Sequence, residues 1–542
     1  MARACHLALL AAPFLLGGSH ALSSLHALSS GVLEASALKQ SSNKSWVSPI
    51  AGCQGFDCVL QYVALPDDAF SWVDTKVRVH GQVGGNEHGL TDVACTGYVL
   101  NMTSQQWLTR ELINFPVWWH ILVVIVPDRL EFPDWATLML DFGIHHPGGN
   151  LTHITNRESL DTVTPWSGIS IDGDHLTERL PNLTQALYNP AVLAARTRAP
   201  VVLLLDVPNG GEVFADDPVK MDRFQDYTKG FSYTDFLEHP EEPERIMELP
   251  NVKAAVRAMD VAQAFTATLP SGRVNQFCMV GYSKLATTTY LTAAADARVK
   301  AMAPIAIYFA LLPSEVVPAG DAPPGDVEKA RTARWIRTLF RPKEMMDAYS
   351  PVIASASTPE IKTLMSIVDP GQMVERFTLP KFLATGSADT TVNSGEMSKY
   401  VPRLPGTTAY LQVPNGWHEE VMDKSLDAIA AFFRGFLLGM TPPVVKSSWE
   451  PSTRTIGATL EGETGVVPLA VRRWDCLHPN QKGLKLDRSV DLPGPSQGNL
   501  TWSSVAPARD DEQRGLSSFI ELEFEWPEPG HRFRVSTMMY PA

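Results

Sequence analysis

Positive charge and long apolar segments are both scarce in this sequence. Its 45 lysines and arginines are outnumbered by 59 aspartates and glutamates, which gives a formal net charge of −14. No cluster of basic residues overrides that excess, so the chain would repel a phosphate backbone and we expect no nucleic-acid partner. After the N-terminal segment, no run of roughly 18 apolar residues occurs, so we expect no membrane-spanning segment.

Cysteine is sparse as well, and its spacing excludes the common zinc sites. The chain has 6 cysteines, with neither C-x2-C nor H-E-x-x-H spacing, so we expect no metal. Cys278 lies inside an apolar run and is expected to be a buried thiol. Once Cys5 leaves with the N-terminal segment and Cys278 is set aside, four cysteines remain that could form two disulfides in an oxidising compartment. These four are Cys53, Cys58, Cys95 and Cys476, of which Cys53 and Cys58 are the nearest pair in sequence.

The first 21 residues have the pattern of a secretory signal peptide. Arg3 precedes an apolar run from Leu7 to Leu16, and small residues follow up to a cleavage position near Ala21. We therefore expect a mature protein that is secreted or lumenal. Five Asn-x-Ser/Thr sequons agree with that route and are glycosylation candidates. They are Asn43, Asn101, Asn150, Asn182 and Asn499.

Continuous apolar runs alternate with helical stretches through most of the chain. Continuous rather than alternating hydrophobicity predicts strands that crossing helices bury on both faces, as in a mostly parallel sheet. The fold class is α/β, with one domain over residues 22–440. Residues 311–379 are too long for a plain crossover and are predicted to form a helical cap. The apolar runs are 120–128, 135–143, 200–209, 274–281, 301–309, 381–389 and 408–415.

The pattern changes after the dipeptide Pro442-Pro443. In "FIELEFEW", residues 519–526, apolar side chains alternate with glutamates, which predicts an antiparallel strand with one buried face. Similar short segments follow each other up to the end of the chain. Residues 444–542 are therefore predicted to form a small β-sandwich.

Ser283 lies where an apolar run meets a predicted helix, in "VGYSK". In an α/β-hydrolase the nucleophile projects from a strained strand-to-helix turn, and Gly281 allows strand and helix to approach closely. The helix that follows points the free N–H groups of its first turn toward any developing oxyanion, so the Lys284 N–H is the natural first donor. The usual G-x-S-x-G motif would have glycine at Leu285, followed here by Ala286. A small residue that merely lets the chain bend is the alternative interpretation of Ser283.

Asp389 and His418 complete the chain order serine, acid, histidine that α/β-hydrolases share. Each follows a predicted late strand, "KFLATGSAD" for the aspartate and "AYLQVPNGW" for the histidine. A serine hydroxyl needs an imidazole to take its proton and a carboxylate to orient that imidazole. The alternatives are a turn-forming role for Asp389 and a chance position for His418.

The loop "DFGIHHPGGN", residues 141–150, follows a predicted central strand and should supply the second oxyanion donor. Gly148 and Gly149 are the candidates, because glycine lets backbone N–H groups approach a ligand. His145 and His146 could instead bind a metal with His153, but they have no acidic partner and are expected to be solvated. No cofactor is expected.

Long ordered segments from about residue 60 onward resemble the PhoPQ-activated pathogenicity-related protein family, which includes secreted autocrine proliferation repressors. The resemblance implies an α/β-hydrolase fold with a β-rich C-terminal region, and Ser283, Asp389 and His418 as nucleophile, acid and base. This chain departs from the family where Leu285-Ala286-Thr287 replaces the usual Arg-Gly-Trp. The segments include "YVALPDDAFSW", "VPNGGEVF", "VGYSKLATTTYLTAAADARVKAMAPIAI", "PKFLATGSADTTVNS" and "LPGTTAYLQVPNGWHEE".

Three hypotheses about function follow from these patterns. The first is a secreted serine hydrolase that cleaves an ester or peptide substrate through an acyl-enzyme on Ser283. The second is a secreted signalling protein without turnover, which uses the hydrolase scaffold to bind a cell-surface receptor. The third, a carbohydrate-binding module, rests only on the tryptophans of the C-terminal region.

Overall fold

The computed structural model describes most of the chain after residue 47. The predicted signal peptide 1–21 lies outside it, as do Asn43, Asn150, Asn182, Asn499, Gly148, Gly149 and the loop histidines. So does most of the predicted cap 311–379. The described residues are 48–83, 85–142, 166–172 (backbone only), 187–307, 349, 351–352, 358–389, 391–392, 394–461, 466–477, 488–494, 500–509 and 516–541.

A ten-stranded sheet forms the centre of the fold, in the order β10-β9-β8-β7-β4-β6-β3-β2-β1-β5. All pairs from β10 to β6 are parallel, and all pairs from β6 to β5 are antiparallel. The predicted fold class, an α/β-hydrolase-type sheet that is mostly parallel, is confirmed. The strands are β1 Ser71–Val83, β2 Val93–Gln106, β3 Val117–Pro127, β4 Trp135–Leu140, β5 Trp166–Asp172, β6 Val201–Leu204, β7 Gln276–Tyr282, β8 Val299–Ile305, β9 Lys381–Gly386 and β10 Thr408–Val413.

Helices cover both faces of this sheet, and its central strands are accordingly mostly apolar. Residues of α2 and α8 share one buried cluster with β9 and β10, whereas α4 shares another with β4, β6 and β7. In α8 the apolar residues Leu426, Ile429 and Phe433 recur at helical spacing and are all buried. The helices are α1 Asp57–Ala64, α2 Tyr188–Thr197, α3 Gln225–Glu238, α4 Glu248–Thr266, α5 Lys284–Ala295, α6 Pro359–Val368, α7 Met397–Tyr400 and α8 Val421–Leu437.

Strand β3 differs from the sequence-based expectation of a parallel neighbour. Its apolar run is buried as predicted, but it pairs antiparallel with both β2 and β6. Burial on both faces depends on the helices above and below the sheet rather than on strand direction. The hydrophobic pattern therefore indicated a buried strand without indicating its orientation.

Two antiparallel sheets follow α8, as the alternating pattern of the C-terminal region predicts. The strand order is β11-β12-β15 in one sheet and β14-β13-β16-β17 in the other, where β18 also pairs with β16. The domain limits 22–440 and 444–542 stay predictions. The strands are β11 Val444–Glu450, β12 Thr455–Glu461, β13 Ala470–Leu477, β14 Arg488–Asp491, β15 Thr501–Val505, β16 Leu516–Glu525, β17 Arg532–Ser536 and β18 Tyr540–Pro541.

The glutamate face of β16 is less open than the alternating pattern predicts. Glu521 is only 2% exposed, and its carboxylate oxygens lie 3.8 Å from guanidinium nitrogens of Arg472 and Arg534. Burial raises the pKa of Glu521, and the two arginines oppose that rise. Arginines on the neighbouring strands β13 and β17 thus compensate a buried carboxylate in the interior of the sheet.

The cysteines confirm one of the two disulfides that the sequence allows. Cys53 and Cys58 are joined, and Cys278 is a buried thiol, as predicted. Cys95 and Cys476 form no second bridge: both are buried thiols, on β2 and β13, and they belong to separate apolar clusters. Burial raises the pKa of the Cys95 thiol to about 12.

Sequon Asn101 is exposed on β2. None of the described helices is both long and apolar enough to cross a membrane.

Candidate active site

Ser283 occupies a sharp turn between β7 and α5. Its backbone has φ 54° and ψ −128°, a conformation that costs an L-residue conformational energy. The Ser283 N–H donates to the carbonyl of Ile305, 2.9 Å away at the end of the neighbouring strand β8. This is the strained strand-to-helix turn expected from the sequence, and it presents the serine at the carboxyl edge of the sheet.

Gly281 permits this turn because strand and helix nearly touch there. A Cβ atom at position 281 would lie 2.4 Å from Thr289 Oγ1 and 2.5 Å from the Leu285 carbonyl oxygen. Leu285 and Ala286 are fully buried, so their side chains are accommodated in the core. The departure from the G-x-S-x-G pattern at Leu285, and from the family pattern at Ala286, therefore leaves the turn intact.

His418 meets the serine from the loop after β10. Its Nε2 lies 2.9 Å from Ser283 Oγ, and its Nδ1 lies 2.8 Å from Asp389 Oδ2. With Nδ1 donating to the carboxylate, Nε2 is left to accept the serine hydroxyl proton. Tyr282 binds the backbone of the histidine, since its hydroxyl donates to the His418 carbonyl at 2.5 Å. The three residues singled out in the sequence thus come together.

Asp389 is held from two sides in the loop after β9. Its side chain is fully buried, and its Oδ1 accepts from the backbone N–H groups of Thr391 and Val392, each at 2.8 Å. At the end of β9, a Cβ atom on Gly386 would lie 2.1 Å from the Gly416 carbonyl oxygen. This close contact brings the aspartate loop and the histidine loop together at one edge of the sheet.

The first of the predicted oxyanion donors lies at the start of α5. No described residue accepts a hydrogen bond from the Lys284 backbone N–H, which therefore stays available at the first position of α5. Gly148 and Gly149, the predicted second donors, lie outside the described residues. The start of their loop is described: Asp141 and Phe142 follow β4, which pairs with β7. The Phe142 ring lies 6.4 Å from the Tyr282 ring, between centroids.

Asp141 is an acid with an altered pKa at the start of that loop. Burial raises its pKa to about 7, and the carboxylates of Asp206 and Asp423 act in the same direction. A hydrogen bond of 2.7 Å from the Phe142 N–H opposes that rise by stabilising the carboxylate. This edge of the sheet therefore carries Asp141, Asp206 and Asp423 in addition to Asp389 of the predicted triad.

Three side chains of the site were missed by reasoning from the sequence. The Lys284 ammonium lies 3.0 Å from Asp226 Oδ2 and 4.3 Å from the centroid of the Phe142 ring. Burial lowers the pKa of Lys284, and Asp226 opposes that change. Only Lys284 is adjacent to the serine in sequence, so no local pattern could have indicated the two partners.

One group among the described residues has the spacing of metal ligands, namely Asp216, Asp235 and His239. The Arg245 guanidinium lies 2.6 Å from one oxygen of Asp235 and 3.7 Å from Asp216. It thus pairs with both carboxylates and occupies the position that a metal ion would need. The cluster is therefore interpreted as a network of ion pairs.

The sheet order, the strained turn and the serine–histidine–aspartate contacts together define an α/β-hydrolase scaffold. Comparison of the sequence with protein-family models identifies the family within that class. The chain belongs to the PhoPQ-activated pathogenicity-related protein family, whose sequence model matches residues 86–316 and 346–485. The resemblance seen in the sequence is thus confirmed.

Similar proteins include one amoebal relative and several esterases of known structure. Autocrine proliferation repressor protein A of Dictyostelium discoideum is 25% identical over 425 residues, covering 76% of this chain and 72% of that protein. A glucuronoyl esterase from Solibacter usitatus is 12% identical with a TM-score of 0.38, over 71% of this chain and 88% of that one. Acetyl xylan esterase 1 from Thermoanaerobacterium sp. JW/SL YS485 is 12% identical with a TM-score of 0.36, and the match covers 72% of this chain and 95% of that one. Such distant structural likeness says nothing about the substrate of this chain.

Proposed function

We propose that this protein is a secreted serine hydrolase that cleaves an ester or peptide bond through an acyl-enzyme on Ser283. The observation that carries the proposal is the chain of contacts from Asp389 through His418 to Ser283, at 2.8 Å and 2.9 Å. A buried carboxylate, an oriented imidazole and a hydroxyl on a strained turn are the parts that acyl transfer requires.

In the proposed reaction His418 Nε2 takes the hydroxyl proton while Ser283 Oγ attacks the substrate carbonyl carbon. The Lys284 N–H stabilises the negative oxygen that forms, together with a donor from the loop that contains Gly148 and Gly149. The imidazolium, stabilised by Asp389, then gives its proton to the departing oxygen or nitrogen. Water attacks the acyl-enzyme by the same route and releases the acid. No cofactor takes part.

Secretion is part of the proposal and rests on separate observations. The N-terminal segment 1–21 has the pattern of a signal peptide, and an exposed sequon is present at Asn101. The disulfide between Cys53 and Cys58 agrees with an oxidising compartment. N-terminal sequencing of secreted material tests this part of the proposal, because a chain still beginning at Met1 would contradict it.

Labelling with a fluorophosphonate tests the chemistry directly, since this probe phosphonylates an activated serine. We expect stoichiometric labelling of the wild type and none of Ser283→Ala. Ser366→Ala is the matched control: this serine lies on α6, where its hydroxyl donates to the Thr363 carbonyl, and its loss should leave labelling unchanged. Esters and short peptides tested on the same preparation then identify the acyl group that the site accepts.

The alternative function is a secreted signalling protein that binds a cell-surface receptor without turnover. It is favoured by the name of the relative from Dictyostelium discoideum, an autocrine proliferation repressor. A folded wild type that stays unlabelled by the fluorophosphonate and hydrolyses none of the substrates would replace the first proposal by this one. The intact hydrogen bonds of the triad favour the hydrolase.

A further inference from the structure

We propose that the side chain of Lys284 is a positioning residue, which holds the start of the loop after β4 against the nucleophile turn. This inference rests on the proposed serine hydrolase function. It assigns to the ammonium group a role separate from that of the Lys284 backbone N–H. The side chain acts on the reaction through Phe142, whose ring packs against Tyr282, the residue that binds the backbone carbonyl of His418.

The ammonium joins two segments that are remote in sequence. It lies 3.0 Å from Asp226 Oδ2, in the first turn of α3, and 4.3 Å above the centre of the Phe142 ring. A cation above an aromatic face is attracted by the negative charge of that face. Because Lys284 is the first residue of α5, its side chain ties both segments to the same turn that carries Ser283.

Each partner is itself held in place. The Phe142 ring contacts the Tyr282 ring edge-on, and the Tyr282 hydroxyl donates to the carbonyl of His418. On the other side, Asp226 Oδ1 accepts a hydrogen bond of 3.2 Å from the Tyr349 hydroxyl. The lysine therefore lies in the middle of a series of contacts from the histidine loop to α3.

An ammonium in this place is costly, which argues for a specific role. The Lys284 side chain is only 13% exposed, and burial lowers its pKa. Ordinary packing between α3, α5 and the loop could be provided by an apolar residue without desolvating a charge. The cation supplies a directional contact to the Phe142 ring face and to Asp226, which an apolar side chain cannot reproduce.

A second lysine of the same region offers a matched control. Lys229 on α3 is 11% exposed and lies 2.7 Å from Glu248 Oε1. Its ammonium is 5.5 Å from the centre of the Tyr233 ring. Lys229 thus has the same burial and the same kinds of partner, but neither partner belongs to the nucleophile turn or to the loop after β4.

The experiment measures the rate of fluorophosphonate labelling and the hydrolysis of p-nitrophenyl acetate. We expect Lys284→Met to lower the labelling rate by roughly a hundredfold, the loss that a small misplacement of reacting groups produces. The effect should appear in kcat, with KM changed by less than about threefold, because a displaced His418 impairs proton transfer in the chemical step rather than substrate binding. Lys284→Arg should recover most of the rate, since guanidinium also binds aromatic faces. Lys229→Met should lose stability without this change in kcat.

A double-mutant cycle keeps the inference testable if Lys284→Met folds poorly. Phe142→Leu removes the ring and should slow labelling by itself, and adding Lys284→Met should then cost less than about twofold more. Additive effects would overturn the inference, as would a Lys284→Met variant labelled at the wild-type rate, or slowed no more than Lys229→Met. A wild type that is not labelled at all would instead overturn the proposed function, and this inference with it.

Discussion

The two halves of the ten-stranded sheet carry their polar groups in different ways. In the antiparallel half, β1–β3 and β5, charged groups pair locally: Asp74 on β1 binds Arg78 and Lys76 of the same strand. In the parallel half, β4 and β6–β10, Ser283, Asp389 and His418 follow three different strands. Parallel strands place all their carboxyl ends at one edge, so residues remote in sequence meet there. Strand direction, more than composition, decides where this chain can assemble a site.

The largest contrast between the halves should be in reactivity. His418→Ala removes the base of the parallel half and should slow fluorophosphonate labelling by about 10⁶-fold, the loss that removal of a triad histidine produces. His80→Ala is the matched change in the antiparallel half, where His80 Nδ1 lies 3.2 Å from Thr96 Oγ1. It should leave the labelling rate unchanged. Comparable losses in both variants would show that the rate reports general stability rather than the site.

The next contrast concerns glycines and should appear in stability. Gly281→Ala places a Cβ atom 2.4 Å from Thr289 Oγ1, so strand and helix must separate and the free energy of unfolding should fall. We expect a loss of about 1–3 kcal/mol, as for other overpacked cores, together with slower labelling. Chemical denaturation followed by circular dichroism measures the first, and the probe measures the second.

Gly97→Ala on β2 is the comparison for that variant. There a Cβ atom would meet Val123 Cγ1 at 3.4 Å, an ordinary contact, on a backbone that other residues adopt. The free energy of unfolding should be unchanged or rise by less than about 1 kcal/mol. Equal losses at Gly281 and Gly97 would contradict the view that close packing is concentrated at the nucleophile turn.

The last contrast is in the pH dependence of stability, which should have opposite signs in the two halves. Burial raises the pKa of Asp141 to about 7, so the folded protein holds this proton more tightly than an unfolded chain does. Its contribution to stability is complete below about pH 4 and declines as pH rises towards 7. Asp141→Asn should therefore become more stable relative to wild type over that range.

Asp74 in the antiparallel half should behave in the opposite way. Hydrogen bonds from Arg78 lower its pKa, so its contribution is present above about pH 4 and is lost at lower pH. Asp74→Asn should lose less than about 1 kcal/mol relative to wild type at neutral pH, because the pair is near the surface. Urea titrations of both variants at several pH values measure the two slopes. Slopes of the same sign would contradict this contrast.

Much of the parallel half could be predicted from the sequence. Continuous hydrophobicity indicates a buried strand. Asp389 and His418 could be singled out because each lies a few residues after such a strand. The glycine before Ser283 indicated a tight turn, and its contact distances give the reason. Strand β3 was recognised as a strand but not as an antiparallel one, because helices bury both of its faces in either orientation.

The remainder of the site had no signal in the sequence. Asp226 and Phe142 reach Lys284 only through the packing of α3 and the loop after β4, which no local spacing records. Cys95 and Cys476 looked like a possible pair because pairing cannot be deduced from number alone. Their thiols lie in separate buried clusters, and this separation could be known only from the fold.

The close contact between Gly386 and Gly416 has a consequence for the order in which the site is built. Acid and imidazole leave neighbouring strands, so the pairing of β9 with β10 suffices to bring them into register. The serine hydroxyl comes from a different part of the sheet, the end of β7, which is two strands from β9 and three from β10. The base and its orienting carboxylate are thus a self-contained half of the machinery. A Ser283→Cys variant would keep the hydrogen bond between Asp389 and His418, and the imidazole would face the new thiol.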